Sequence, residues 1–172
     1  MTTAARADEH ELEHEHSPFE LRASVEAPIL SHGSAGSTNI IHELEPELDV
    51  MASYVVVPKT LSIDLELGEA ILLASQEEPD TPIRRGTTIR PGVGYTPNHE
   101  LPIYVLAMLP IHLEPAPAVL GLRLGAGFDV HLSFGKYFVE AAVDLPLAGG
   151  TGAPDAFATQ TFVLATGLLF HL

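Results

Sequence analysis

The sequence predicts an all-β fold, an eight-stranded antiparallel up-and-down transmembrane β-barrel over residues 19–172. Three observations carry this. Apolar residues alternate with polar ones from Phe19 to the last residue, which is the period of a strand. Tight turns alternate with longer loops rich in Gly, Pro, Ser or Asp, as in a meander with short turns at one end. The chain is 46% apolar yet carries a formal net charge of −15, and the two kinds of residue fall on opposite strand faces.

The strands follow in order. In 19–30, Phe19, Leu21, Ala23, Val25, Ala27 and Ile29 oppose Glu20, Arg22, Ser24 and Glu26. In 40–57, Leu44, Leu48, Val50, Ala52, Tyr54 and Val56 oppose Glu43, Glu45, Glu47, Asp49 and Ser53. Segment 61–73 sets Leu61, Ile63, Leu65, Leu67 and Ile71 against Ser62, Asp64, Glu66 and Gly68, and segment 87–96 sets Ile89, Val93 and Tyr95 against Thr88, Arg90, Gly92 and Gly94. In 101–113, Leu101, Ile103, Val105, Leu109, Ile111 and Leu113 oppose Tyr104, Met108 and His112. The clearest case is 119–134, where Leu120, Leu122, Leu124, Ala126, Phe128, Val130, Leu132 and Phe134 at even positions face Gly121, Arg123, Gly125, Gly127, Asp129, His131 and Ser133 at odd ones. Segment 137–145 sets Tyr137, Val139, Ala141 and Val143 against Phe138, Glu140, Ala142 and Asp144, and 160–172 closes the set with Phe162, Leu164, Leu168, Phe170 and Leu172 on one face.

The charged face is the inward one. An eight-stranded barrel has room inside for closely packed side chains only. The aliphatic ribs of eight strands do not fit there, whereas the charged face carries Gly68, Gly92, Gly94, Gly121, Gly125, Gly127 and Gly167. The aliphatic face then points outward, where lipid tolerates it. The aromatics agree. Phe19, Tyr54, Tyr95, Phe134, Tyr137 and Phe170 lie on the apolar face beside a short turn or a terminus, so all six form a girdle at one end. The two lysines, Lys59 and Lys136, fall in the short turns beyond it. Pro46, Pro91, Pro102 and Pro110 interrupt strand-like segments, and a closed barrel has no edge to hold them, so bulges or strand portions beyond the membrane are expected there.

Composition removes several classes. No run of ~18 apolar residues exists to make a membrane-spanning helix. With 23 acidic against 8 basic residues the chain is no partner for nucleic acid. The absence of cysteine excludes disulfides, thiolate metal sites and a cysteine nucleophile, and no motif calls for a cofactor. Residues 1–18 read as a disordered acidic and histidine-rich tail ending at Pro18. Within it, Ala5-Arg6-Ala7 has the small-x-small form of a signal-peptidase site without a preceding apolar stretch; it is a signal remnant or a chance match.

On these residues the chain resembles the small outer-membrane β-barrels of Gram-negative bacteria, the OmpA-transmembrane and OmpX type. The likeness is architectural and covers 19–172. Its most specific element is the C-terminus, where Thr166-Gly167-Leu168-Leu169-Phe170-His171-Leu172 follows the family's assembly signal of polar residue, Gly, two variable positions and apolar-x-apolar. Leu172 stands where the family usually ends in an aromatic. The resemblance implies an outer-membrane location, contact with outer-membrane lipids, and recognition by the barrel-assembly machinery. It implies no activity.

The lumen charges form the main candidate site: Arg22, Asp49, Asp64, Glu66, Arg90, Arg123, Asp129, His131, Glu140 and Asp144. Counting from the girdle places Arg90 level with Glu66 and one strand from Asp49, and Arg22 near Glu140 and Asp64. Three arginines cannot neutralise a dozen carboxylates. Some acids must meet water, bind cations or stand above the membrane, and Glu43, Glu45 and Glu47 are assigned to the last group. His131, Ser133 and Glu140 suggest the serine, base and acid of outer-membrane lipid A deacylases, but His131 and Ser133 face the lumen near a short turn, away from a lipid substrate. A packed polar lumen is the better reading, so no catalytic residue is assigned. In the tail, His10, His14 and His16 with their glutamates are competent metal ligands, though unstructured ones bind weakly, and a solvated tail is preferred. Arg84-Arg85 could meet lipopolysaccharide phosphates. The leading function is a non-enzymatic structural or interaction barrel that contacts lipid, or a protein partner through its loops or tail. The alternatives are a narrow cation-preferring conduit and, third, a lipid-modifying enzyme.

Overall fold

The structure is a computed structural model that describes residues 17–33, 46–70, 86–98, 101–113, 119–149 and 159–172. The strand segments are β1 (Phe19–Gly33), β2 (Glu47–Val57), β3 (Leu61–Ala70), β4 (Thr88–Tyr95), β5 (Ile103–Met108), β6 (Ile111–His112), β7 (Val119–Leu132), β8 (Gly135–Gly149) and β9 (Thr159–His171). Every pairing is antiparallel, in the order β3-β2-β1-β9-β8-β7-β5-β4, and β3 also pairs with β4. The sheet therefore closes on itself. β5 and β6 are one barrel strand interrupted at Leu109-Pro110, since both pair with β4 and β7 in one continuous register. Eight strands make the ring, as the alternation predicts.

The stagger can be read from the register. Starting at Glu20, residues that face one another on successive strands run through Ser53, Asp64, Gly92, Met108, Arg123, Asp144 and Thr161. They return to β1 at Ser31, eleven residues along. Tilted strands with this shear leave a lumen that side chains alone can fill.

Both faces fall where strand parity puts them. Leu48 is 52% exposed and Leu124 44%, with Val50, Leu65, Leu67, Val93 and Val105 alike outside. Arg22, Glu26, Asp49, Asp64, Glu66, Arg90, Arg123 and Glu140 are buried inside. Phe19, Tyr54, Tyr95, Phe134 and Tyr137 are exposed and Phe170 is half-buried, all near the tight turns. The Phe19 and Tyr54 rings pack at 5.2 Å. One of these turns is built by Pro58 and Lys59: Thr60 donates to the Val57 carbonyl at 3.0 Å, and Lys59 takes the left-handed φ of 59° that a type II turn requires. Lys136 departs from its expected place in a turn. It is in β8 and bonds Asp129 at 3.3 Å inside the mouth.

The prolines behave differently from expectation. Pro46 and Pro102 stand just outside β2 and β5. Pro91 and Pro110 sit within the wall without any register shift. The bulges are elsewhere, between Pro28 and Leu30 against β9, between Val55 and Val57 against β3, and between Leu120 and Gly121 against β8 beside Pro146. A strand can lack one amide donor and keep its register if its neighbours still donate to it; an inserted residue cannot be absorbed that way.

The charged lumen as candidate functional site

Two arginines organise the upper lumen, toward the long-loop end. Glu66 lies directly opposite Arg90 in the β3–β4 ladder, and Asp144 directly opposite Arg123 in the β7–β8 ladder. Arg90 donates to Glu47 at 2.6 Å, Asp49 at 2.7 Å and Glu66 at 2.8 Å. Arg123 makes a bidentate pair on each side. It donates to Asp144 at 2.7 and 2.8 Å, and to Glu26 at 2.5 and 2.7 Å. The planar guanidinium fork suits this double recognition, which a lysine could not reproduce. Glu26 also lies 3.9 Å from Arg90, and Glu66 3.7 Å from Arg123, so the two centres are joined. Arg90 and Arg123 are each 1% exposed.

Gly68 makes the Arg90 centre possible. A Cβ there would meet Arg90 Nη1 and Asp49 Oδ1 at 2.6 Å each and would collide with Glu47 Oε1. Three charged groups use the space that a side chain would occupy.

A second centre lies nearer the short turns. Arg22 donates to Glu140 at 2.8 Å and to the Tyr104 hydroxyl at 3.2 Å, and Tyr104 donates to Glu140 at 2.9 Å. The Arg22 guanidinium stacks on Phe138 at 3.8 Å from the ring centroid, a cation–π contact in a dry setting. Met51, Leu106 and Met108 pack together with Tyr104 beside it and contribute an apolar patch to the lumen.

The structure thus places the predicted residues as follows. Asp49, Glu66 and Arg90 meet, as do Arg22 and Glu140, and Arg123 and Asp144. Asp64 is buried with Oδ1 lacking a partner, and stands apart from Arg22. Asp129 pairs with Lys136 at the mouth, where His131 is exposed. Glu47, expected with Glu43 and Glu45 among the acids beyond the arginines' reach, is buried and paired with Arg90, because β2 begins there and its odd positions face inward. Glu26 was not among the predicted site residues, yet it clamps Arg123. The proposed catalytic set is not assembled. Glu140 opposes Gly127, while His131 opposes Lys136, four residues further along. Among the described residues no group of three or more acidic, His or Cys side chains is placed to hold a metal ion. His10, His14, His16, Glu43, Glu45, Arg84 and Arg85 lie outside the described residues.

The C-terminal signature has a physical account in the finished barrel. A Cβ on Gly167 would collide with the Ala23 carbonyl and meet Ser24 Cα at 2.7 Å, so only glycine lets β1 approach β9 there. The Thr166 hydroxyl donates to the Phe138 carbonyl at 2.9 Å and lies 2.7 Å from the Tyr137 hydroxyl, which its lone pairs can accept. The Leu172 amide donates to the Phe19 carbonyl at 3.1 Å and completes the seam between the two terminal strands.

No family model matches the chain, and no curated protein matches it in sequence. Among solved structures it is similar to Neisserial surface protein A, with a TM-score of 0.59 and 13% identity over 91% of this chain and 98% of that one. At that identity the likeness speaks to the fold: this chain has the closed eight-stranded antiparallel architecture of small transmembrane barrels.

Proposed function

We propose that the protein is a non-enzymatic structural or interaction barrel of the bacterial outer membrane. It would present its long loops on one side of the membrane and its tail on the other, to lipid or to a protein partner. The filled lumen carries this reading. Arg90 and Arg123 tie side chains from β1, β2, β3 and β8 together across the interior, and Arg22 ties β1 to β8 below them. Such cross-ties make a solid plug, which serves a scaffold better than a conduit. The outward aliphatic wall and its one-ended aromatic girdle support placement in a bilayer. Assembly by the barrel-assembly machinery rests on the fit of Thr166, Gly167, Phe170 and Leu172 to that signal.

The test is twofold. Cell fractionation should recover the protein with outer membranes, needing detergent for extraction and migrating faster on gels when unboiled. Reconstituted into planar bilayers, it should give no steady single-channel conductance. Stable monomers without detergent would refute the membrane reading, and cation-selective conductance would revive the channel.

A further inference from the structure

A line of proline crosses the wall at the level of the Arg90–Arg123 centre. In an antiparallel ladder every second pair exchanges two hydrogen bonds. Between β4 and the β5–β6 strand, the Leu109 amide donates to the Pro91 carbonyl at 2.9 Å, but the return bond is missing because proline has no amide hydrogen. One strand further, the Gly121 amide donates to the Pro110 carbonyl at 2.8 Å, and again nothing returns. In the third ladder, Gly121 opposes Pro146 and the register slips between Leu120 and Gly121. Three consecutive ladders are therefore weakened within one residue of a single row, Arg90–Pro110–Gly121–Pro146.

The wall above this row is slight. On these three strands it consists, among the described residues, of the two residues of β6, the first two of β4 and the first two of β7, with Leu113 donating to the Thr87 carbonyl at 3.0 Å; its flanks pair with Leu67 and Gly68 of β3 and with Ala148 and Gly149 of β8. The Thr88 hydroxyl and His112 Nδ1 are 3.0 Å apart and bridge two of these pieces. The flanks are therefore held by the neighbouring strands, while residues 111–113 in the middle follow two ladder pairs that each lack one bond. Segments with few anchoring bonds open at lower free energy than the body they belong to.

We propose that this row is a hinge, on which the segment of residues 111–113, in the middle of the rim, opens and closes while the barrel below stays shut. The proposal is independent of the functional reading above.

Amide exchange followed residue by residue by NMR in detergent micelles tests it. In the wild type, Ile111 and Leu113 should exchange at least tenfold faster than Leu106 and Ala107 of the same barrel strand. Restoring the missing donors with Pro91→Val and Pro110→Val together should remove most of that difference and leave Leu106 and Ala107 unchanged. Pro102→Val, at the opposite mouth, should leave the rim exchanging as before. Equal rates for rim and body in the wild type would overturn the hinge. So would fast rim exchange that persists in the double variant, because ordinary fraying of strand ends would then account for it. If the double variant does not fold, each single variant restores one bond and should slow the rim partway; no slowing in either overturns the proposal.

Discussion

Replacing Arg90 with methionine keeps the length of the side chain and removes its charge. The structure gives the consequence. Glu47, Asp49 and Glu66 each lose a charge-assisted bond of 2.6–2.8 Å, and Glu26 loses a charge 3.9 Å away. Arg123 is then the one arginine left for Glu26, Glu47, Asp49, Glu66 and Asp144. Breaking a buried pair from one side costs about 3–5 kcal/mol, because the remaining charge is uncompensated. At 1.4 kcal/mol per tenfold, the folding equilibrium should weaken on the order of a hundred- to several thousand-fold. Urea titration of refolding into micelles, read by the gel shift between boiled and unboiled protein, measures this. The reasoning also predicts a sign reversal. Asp49→Asn removes a partner in the wild type and should destabilise it. In the Arg90→Met background the same change removes an uncompensated charge and should stabilise. Loss of less than about 1 kcal/mol in Arg90→Met, a value typical of an exposed pair, would refute the account. So would a further loss when Asp49→Asn is added.

Other consequences can be checked with the same assay. Gly68→Val should cost about 1–3 kcal/mol or more, because its side chain must enter the space shared by Glu47, Asp49 and Arg90. Leu124→Arg and Val105→Arg place a charge on the lipid face and should cost ~2–4 kcal/mol each in bilayers, whereas His131→Arg at the exposed mouth should be nearly neutral. Gly125→Ser is not a neutral lumen change either: its Cβ would sit 3.0 Å from Leu106 and 3.1 Å from Ala142, so reduced refolding yield is expected. Thr166→Val and Tyr137→Phe should each cost about 0.5–1.5 kcal/mol in unaided refolding and be less than additive, since they share a bond. An effect of Thr166→Val in cells but none in refolding would assign that residue to assembly alone.

Strand parity made much of this fold legible. Once the glycine-bearing face is taken as inward, the side of each described strand residue follows, including Phe138 among the charges. Pairs on neighbouring strands were also legible, because register between adjacent strands needs only turn positions: Arg90 with Glu66, and Asp49 one strand further. Pairing across the lumen was not. Glu26 on β1 reaches Arg123 on β7, and these strands are not neighbours in the ring, so only the barrel's curvature and stagger bring them together. Glu47 was misplaced for a related reason. The acidic run through Glu43, Glu45 and Glu47 gives no sign of where water ends, and that boundary is set by the level of Arg90 two strands away. The bulges at Pro28 and Pro146 escaped notice because a proline's effect depends on whether its missing donor faces a neighbour that needs it.

The glycines explain how so narrow a lumen holds such large side chains. Tyr104 lies over Gly127, Leu106 over Gly125, Met108 over Gly92, Pro110 against Gly121, and the Arg90 centre over Gly68. Each of these bulky groups is answered by a glycine on the adjoining strand, and that part of the interior is packed by alternating large and absent side chains. A barrel turned inside out, with aliphatic residues within, would have no such complement, because its inward positions would be Leu, Ile, Val and Phe on every strand. The face that accommodates curvature is thus the face that carries the charges, and the ion pairs follow from it. Most of the carboxylates and guanidinium groups confined there pair with one another, with Tyr104 joining Arg22 and Glu140, which ties strands together across the interior. Cross-ties in the body and two missing ladder donors beside the rim are then two results of one sequence pattern, glycine where side chains cross and proline at Pro91 and Pro110.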